Sequence, residues 1–432
     1  MQFKSVFLLV LMFGFFSTFV GWSQPEYVND NFPRNYDHIY KDNIKSVQMI
    51  VNNQPVSYPV LRLNSTDRLF VSFDDLDNDV KNYSYRITLY NSDWTPSDLT
   101  ELEYIEGFAI NDIPNYEFSF NTLTQFTFYN FTLPNNDLRW TKSGNYLLEV
   151  FEDNDTEKLI FTRRFMVHEN VMQIRYDLNQ AFQVGKSQTH HEIDFVVDHQ
   201  GLIVRNPRQE IKVVVMQNGR TDNAITDLPP LFVRESSLDY DYQNKVVFQA
   251  GREFREFDTR STRYKAEGIK AFYDDGEQFY FTVFPDPLRA NLKYEYYQEV
   301  NGQYAIQNFH EDDNNLESDY GTVFFQLNFD QQLPKGDIYL FGKMTDWQFK
   351  EEFKMKYSPE LGAYIGDAYL KQGYYNYMYA YVEDGSEVGD FELIEGNNFQ
   401  AENDYQIFVY YRPFGARYDR LVSYVVFNSF RF

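Results

Sequence analysis

The feature that most restricts the fold of this chain is the alternation of apolar and polar residues at every second position. Tyr83, Tyr85, Ile87 and Leu89 alternate with polar residues, which is typical of a half-buried antiparallel strand. Similar segments follow at residues 117–120, 125–133, 146–151 and 159–167. No window of comparable length has helical periodicity. Short strands joined by polar turns predict an all-β protein made of tandem immunoglobulin-like or early-set β-sandwich domains.

The length of the chain and its breaks predict three such units. At about 150 residues per domain, 432 residues correspond to about three domains. Pro229-Pro230 and Pro285-Asp286-Pro287 interrupt the strand-like segments, and an acidic stretch follows at residues 310–319. We therefore expect a signal peptide (1–23), an N-terminal β-sandwich (24–168), a middle β domain (169–309), an acidic linker (310–319) and a C-terminal early-set-like β-sandwich (320–432).

The N-terminus has the pattern of a secretory signal peptide. Lys4 precedes an apolar run at residues 6–20, and the small residues Gly21 and Ser23 follow it. An anchor helix is the weaker alternative, because the run is short for a bilayer span and no basic residue follows it. We expect cleavage between Ser23 and Gln24, and hence export to the periplasm.

The composition excludes several classes of partner and site. Aromatic residues make up 19% of the chain, which argues against disorder. The net charge of −25 argues against binding to nucleic acid or to an anionic membrane surface. Cysteine is absent, so disulfides and thiolate metal sites are excluded.

The C-terminal segment has one further interpretation. Tyr424, Val426, Phe430 and Phe432 resemble the last strand of an outer-membrane barrel. A membrane barrel needs regularly repeated segments of about ten residues, whereas the strand-like segments here vary in length and acidic connections interrupt them. The sandwich interpretation is therefore preferred.

No motif in the chain predicts catalysis. Gly185-Lys186-Ser187 imitates a phosphate-binding loop, but Gln180 stands where that loop needs its first glycine. The pair His190-His191 lacks the second histidine of a zinc-protease helix, since Phe195 stands at its position. We expect no enzyme, no catalytic or metal-binding residues, no cofactor and no small-molecule substrate.

Three carboxylates have the spacing that opens a calcium loop. These are Asp75, Asp77 and Asp79, but Val80 replaces the required glycine and Arg86 the closing glutamate. An EF-hand is excluded, and a solvated acidic turn is the default. An irregular site for a hard cation stays open as the alternative.

A segment rich in arginine and aromatic residues runs from Gly251 to Tyr264. One interpretation is a solvated strand with ion pairs of small energetic value. The other is a docking edge, because arginine and aromatic residues anchor many interfaces. The candidate partner-binding residues in this segment are Arg252, Phe254, Arg255, Phe257, Arg260 and Arg263.

Residues 337–347 and 373–382 resemble early-set immunoglobulin-like modules of the glycogen-binding type. In those modules a tryptophan at the place of Trp347 stacks on sugar rings, and a lysine in the later strand binds hydroxyls. Met378 stands at the lysine position here, and no second tryptophan follows Trp347. A periplasmic glycan-binding protein is therefore kept as the alternative function, with Trp347 expected to be mainly structural. A hydrolase is the least favoured hypothesis.

Almost the entire mature chain resembles the type IX secretion system plug proteins of Bacteroidota. The resemblance rests on five segments in a fixed order: residues 90–99, 143–146, 251–264, 342–347 and 411–421. It implies a periplasmic protein that binds and closes the inner end of the large outer-membrane translocon barrel when no cargo is passing. Trp347, Arg412 and Arg417 join the arginine-rich segment as candidate partner-binding residues. The resemblance assigns no catalytic residue.

Overall fold

The computed structural model of the protein describes residues 32–431, so the predicted signal peptide and its cleavage site lie outside the described residues, as does Phe432. The described chain is almost entirely β-structure arranged in open sheets, and none of those sheets closes on itself. This confirms the all-β sandwich class. In this part of the chain no helix is long and apolar enough to span a membrane.

The first domain is a sandwich of twelve strands. In chain order these are β1 (His38–Ile39), β2 (Ile44–Val51), β3 (Val60–Arg62), β4 (Leu69–Asp75), β5 (Tyr83–Tyr90), β6 (Ile105–Gly107), β7 (Asn111–Asp112), β8 (Asn115–Phe118), β9 (Thr127–Leu133), β10 (Leu138–Trp140), β11 (Gly144–Glu152) and β12 (Leu159–His168). The short helix α1 (Glu101–Tyr104) precedes β6.

Two sheets face each other across the core of this domain. One has the order β1-β12-β11-β5-β7, with β3 parallel to β12, and the other has the order β2-β4-β9-β8. The alternating residues Tyr83, Tyr85, Ile87 and Leu89 of β5 are all buried, as their pattern predicts. Aromatic rings fill much of the core; Phe73, for example, contacts both Tyr83 and Tyr129 at centroid distances of 5.2 Å.

The second domain is assembled from two separate parts of the chain. Its first part contains β13 (Gln173–Gln180), β14 (His190–Asp198), helix α2 (Pro207–Glu210), β15 (Ile211–Gln217), β16 (Phe232–Val233), β17 (Ser237–Asp239) and β18 (Val247–Gln249). One sheet has the order β13-β14-β17-β16, with β18 paired to β14. The facing sheet has only β15 from this part of the chain.

An inserted domain follows before the second domain is completed. Its strands are β19 (Arg255–Asp258), β20 (Ile269–Asp274), β21 (Phe279–Val283), β22 (Tyr304–Ile306), β23 (Tyr320–Asn328), β24 (Gly336–Phe341), β25 (Lys356–Ser358), β26 (Ala363–Lys371), β27 (Gly373–Glu383) and β28 (Gly389–Asp390). Short 3-10 turns lie at Lys343–Thr345 and Glu351–Phe353. One sheet has the order β20-β21-β23-β26-β25, and the other is organised around β27, which pairs with β19, β22, β24 and β28.

The last two strands return to the second domain. These are β29 (Asp404–Tyr411) and β30 (Arg420–Asn428), and a 3-10 turn at Ser429–Arg431 follows them. Strand β29 pairs with β15 from Ile211↔Tyr411 to Gln217↔Tyr405, and β30 completes the sheet β15-β29-β30.

The pairing of β29 with β15 differs from the predicted domain bounds, which separate a middle domain (169–309) from a C-terminal domain (320–432). The sequence placed residues 406–411 in a C-terminal unit, but β29 belongs to the second domain. It placed residues 251–264 in the middle unit, but β19 pairs with β27 of the inserted domain. The predicted linker 310–319 is packed against the first domain at its C-terminal end, where Asp319 is buried and accepts a hydrogen bond from the backbone N–H of Thr124 at 3.0 Å. Periodicity marks a strand but carries no information about a partner far along the chain.

Candidate interaction surfaces

The arginine-rich segment predicted as a docking edge is largely internal. Phe254 and Phe257 are buried, and the ring of Phe257 stacks on Tyr375 of β27 at 5.1 Å. Arg255 is also buried. These three side chains hold the inserted domain together, so they do not form a docking surface.

Arg255 is the centre of a buried ionic network. Its guanidinium lies 2.8 Å from a carboxylate oxygen of Asp286 and 3.0 Å from one of Glu395. Arg289 contacts the same Glu395 carboxylate at 2.6 Å. Burial alone would raise the pKa of Glu395, but the two arginines lower it to about 2. The network connects β19 to the loop after β21, which carries Asp286, and to the segment after β28, which carries Glu395. Arginine at position 255 therefore has a structural role inside the inserted domain.

The outer arginines of the segment also have internal partners. Arg260 pairs with Asp258 at 2.6 Å, and its guanidinium lies 4.3 Å from the ring centre of Phe309. Arg252 donates a hydrogen bond to the carbonyl of Leu292. Arg263 is the most open, with 65% of its side chain exposed and Glu311 at 3.2 Å.

Trp347 is buried and does not offer an open ring face to a sugar. Its ring packs against Phe254 and Phe341 at centroid distances of 5.9 and 5.5 Å. Arg220 of the second domain lies 5.7 Å from the ring centre, so Trp347 also contributes to the contact between these two domains. Gly302 lies directly against it, because a Cβ at that position would approach the ring to 2.4 Å.

Arg412 and Arg417 lie where the first and second domains meet. Arg412 contacts Asp419 at 2.7 Å, and Ser92 of the first domain donates to the same carboxylate at 2.7 Å. Arg417 pairs with Glu103 of the first domain. The segments 90–99 and 411–421, which are far apart in the chain, therefore form one interdomain contact.

The three acidic residues at the end of β4, Asp75, Asp77 and Asp79, already surround a cation from this chain. Their carboxylates lie close enough together to hold a metal ion. However, the ammonium of Lys81 lies 2.9 Å from Asp75 and 3.5 Å from Asp79, and it also pairs with Asp77. The Lys81 ammonium therefore occupies the position between the carboxylates that a calcium ion would take in the alternative interpretation.

A buried charge pair joins the first domain to the inserted domain. Lys371 of β26 lies 2.6 Å from Asp74 of β4, and both side chains are almost completely buried. Tyr320 donates to the same Asp74 carboxylate at 2.6 Å. The Lys371 ammonium also lies 4.0 Å from the ring centre of Phe126. Sequence reasoning missed this pair, because Asp74 stands beside Asp75 at the start of an acidic run that resembles a solvated turn.

One face of the inserted domain presents aromatic rings to solvent. Tyr273 of β20 stacks on Tyr280 of β21 at 4.8 Å, and Tyr280 lies 6.3 Å from Phe324 of β23 in a parallel arrangement. Tyr273 is 57% exposed, and Phe324 and Ile365 are also exposed. We call these four residues the aromatic face. The first domain covers one end of the same sheet, where Tyr320 is buried and its hydroxyl donates to Asp74.

A groove of about 510 Å³ lies beside the aromatic face. Phe324 and Ile365 line it together with charged side chains of both signs. The charged residues are Lys270, Glu351, Glu352, Lys354, Lys356 and Asp367. An apolar strip with a charged rim is the usual anatomy of a protein interface. The alternation in β20, β21 and β23 could have revealed this face, because their outward positions have aromatic residues where polar ones are usual.

The three domains also enclose a cleft of about 130 Å³, which we call the junction cleft. Trp94 and Arg164 of the first domain, Gln406 and Met216 of the second, and Trp347 of the inserted domain all line it. Its lining comes from segments distant in the sequence, so no local motif predicts it.

Comparison with known proteins identifies the relatives of the chain. Residues 44–169, which correspond to the first domain, match the family model described as the first domain of the type 9 secretion system plug protein. A crystal structure of a hypothetical protein from Parabacteroides merdae has 33% sequence identity and a TM-score of 0.88, and the alignment covers 91% of this chain and 99% of that one. No curated protein matches the chain. The first two of the five sequence segments, residues 90–99 and 143–146, lie within the matched range, and the chain belongs to the type IX secretion system plug protein family.

Proposed function

We propose that this protein is a periplasmic plug that binds the inner end of the outer-membrane type IX translocon and closes it when no cargo is passing. Its family gives it a role in type IX secretion and an association with the cell envelope. We infer in addition that the protein acts by occluding the translocon pore as a rigid body. The glycan-binding alternative loses its main support, because the Trp347 ring is packed inside the protein.

The observation that carries the proposal is the way the three domains are locked together. A stopper for a wide pore must keep its shape while it is pressed against the rim. Each domain contacts the other two through buried polar or aromatic groups: Asp74 with Lys371, Ser92 with Asp419, and Arg220 with Trp347. Because removing one member of a buried pair costs several kcal/mol, relative movement of the domains is strongly opposed.

The aromatic face is the surface that we assign to the translocon. Exposed stacked rings beside a charged rim offer anchors of the kind that supply most of the energy of an interface. The protein has to leave the pore when cargo arrives, so the face needs enough apolar surface for binding but not the area of a permanent complex. A few aromatic residues on an otherwise polar sheet meet this requirement.

Deletion of the gene tests occlusion. A strain that keeps the translocon but lacks this protein should become sensitive to vancomycin, because a large hydrophilic compound can then pass through the open pore. Complementation with the intact gene should restore resistance. Unchanged sensitivity in a strain shown to contain the translocon would refute the plug function.

A second experiment tests the aromatic face separately. The double variant Tyr273→Glu, Phe324→Glu places two charges on the face and should abolish co-purification with the translocon from detergent-solubilised membranes. Val184→Glu is the matched control, because Val184 is an exposed apolar residue of the second domain. If both proteins co-purify equally well, the aromatic face is not the contact, whereas the result of the deletion experiment is unaffected.

A further inference from the structure

The junction cleft has an exposed mouth and a buried floor. Tyr36 and Pro55 of the first domain and Thr221 of the second lie at the mouth and are exposed. Gln406 of β29 and Trp347 lie at the floor and are buried. The cleft is therefore open to a ligand from solvent, and any ligand that fills it contacts more than one domain.

A buried acceptor in this lining has no partner. Gln406 is 1% exposed, and its side-chain N–H donates to the Tyr424 hydroxyl at 3.0 Å. Its carbonyl oxygen Oε1 has no hydrogen-bond partner among the described residues. Buried polar atoms are nearly always paired, and an unpaired one requires an explanation. A ligand with an N–H or O–H group would satisfy this oxygen.

A guanidinium in the same cleft lacks a carboxylate. Arg164 lies over the ring of Trp94 at 4.0 Å, and its Nε donates to the carbonyl of Asn35. Among residues 32–431 no carboxylate forms an ion pair with its side chain, whereas the neighbouring Arg163 has Asp346 at 3.5 Å. Burial lowers the pKa of Arg164 to about 10, although Asp37 opposes this effect. Asp37 also lines the cleft, but its carboxylate accepts from the backbone N–H of Arg164 at 2.8 Å and pairs with Lys343 at 3.2 Å, so the Arg164 guanidinium has no carboxylate of its own.

The size and the apolar lining of the cleft indicate which group could bind beside an anion that pairs with Arg164. An apolar cavity of about 150 Å³ is large enough to bind benzene, so a cleft of about 130 Å³ accommodates roughly one ring. Met49, Met166 and Met216 supply adaptable apolar surface beside the two tryptophans.

We propose that the junction cleft binds the C-terminal residue of a peptide whose last side chain is aromatic. The terminal carboxylate pairs with Arg164, because a guanidinium binds a planar carboxylate through two hydrogen bonds. The ring fills the apolar part of the cleft, and the amide N–H of the same residue donates to Oε1 of Gln406. One residue thus supplies the carboxylate for Arg164, the N–H donor for Gln406 and the ring for the apolar lining. This inference does not depend on the plug function.

The test uses three small probes with the full mature protein. N-acetylphenylalanine carries the carboxylate, the ring and the amide; N-acetylphenylalaninamide lacks the charge; and N-acetylglycine lacks the ring. Tryptophan fluorescence and calorimetry should give a dissociation constant of about 1 mM for the first probe, as expected for a ligand of this size. The other two should bind at least tenfold more weakly.

Two matched variants locate the binding. Arg164→Gln should weaken N-acetylphenylalanine at least tenfold, to the level of the amide, and leave the amide unchanged. Arg234→Gln removes the same charge from an exposed arginine of the second domain and should change neither. Far-UV circular dichroism shows whether each variant is folded.

Three results would overturn the proposal. These are the absence of binding at 10 mM probe, equal affinity for the acid and the amide, and full affinity in a folded Arg164→Gln protein. If that variant does not fold, the comparison of acid with amide in the unaltered protein still decides. Binding of glucuronate or maltose in place of N-acetylphenylalanine would also refute the proposal and identify a saccharide site.

Discussion

Replacing Lys371 by methionine should strongly destabilise the protein, and the loss should depend on pH. The substitution keeps the apolar stem and removes the ammonium that lies 2.6 Å from Asp74. Burial raises the pKa of Asp74 and lowers that of Lys371, so neither charge is stable at this place without the other. Removing one member of a buried pair typically costs about 3–5 kcal/mol.

The proton affinity of Asp74 sets an upper limit to the electrostatic part of this loss. Without Lys371, the Asp74 carboxyl can take up a proton rather than stay charged. Protonating this carboxyl costs about 1.4 kcal/mol for each pH unit above its usual pKa of 3.8. At pH 7 the total cost is about 4 kcal/mol. The folded variant then holds a proton that the unfolded chain releases. Its stability relative to the unaltered protein should therefore recover as the pH falls, to a loss of about 1–2 kcal/mol at pH 5.

Urea unfolding at pH 5, 6 and 7 measures these values. Tryptophan fluorescence and far-UV circular dichroism should be followed together, because a chain with three domains need not unfold in one step. The double variant Asp74→Asn, Lys371→Met removes both charges and should be more stable at pH 7 than the single one. Lys158→Met breaks a pair with Asp153 in which both side chains are about half exposed, so it should change the free energy of unfolding far less than Lys371→Met does. A loss below 1 kcal/mol for Lys371→Met, or the same loss at pH 5 and pH 7, would refute the reasoning.

Three further predictions concern Trp347, His191 and the aspartates around Lys81. Trp347→Ala should cost about 3–5 kcal/mol in thermal or urea unfolding, since it truncates a large buried ring, and calorimetry should detect no maltooligosaccharide binding to either protein. Burial lowers the pKa of His191 to about 4, whereas the unfolded side chain binds a proton near pH 6.5, so stability should fall by up to about 3 kcal/mol as the pH drops from 6.5 to 4. His191→Gln should remove that part of the acid sensitivity. Millimolar Ca²⁺ should leave the melting temperature unchanged, because Lys81 already pairs with all three nearby aspartates, and a clear increase would show that the ion displaces it.

The strands of this protein could be predicted from the sequence, but their partners could not. The alternation in β5 identifies both the strand and its buried face, because the period of two is a local property. The pairing of β29 with β15 depends on contacts between residues almost two hundred positions apart. Nothing local in either strand specifies the other, since each has apolar residues on both faces. The insertion of a whole domain between the two strands therefore escaped the sequence analysis.

The arginine-rich segment shows why the candidate site was harder to predict than the fold. Arginine and aromatic residues anchor protein interfaces, and they also build buried networks inside a domain. The two cases differ only in where the partner carboxylates lie. Arg255 finds Asp286 and Glu395, which are 31 and 140 residues further along the chain. The residue types in the segment were informative, but the fold and not the segment decides whether they face solvent.

The domain insertion also bears on how the protein leaves a partner. The chain enters the inserted domain after Ala250 and returns at Asn403, and the Asn403 side chain donates to the Ala250 carbonyl at 2.8 Å. A force on the aromatic face is therefore shared by the two points at which the chain passes between the inserted and second domains. The Asp74–Lys371 pair adds a connection between the inserted domain and the first domain. Separating the domains would leave both charges of that pair without a partner, whereas separating an interface whose charged residues are already solvated leaves none. We therefore expect the proposed docking interface to separate before the domains do, so that the protein is released as one folded body.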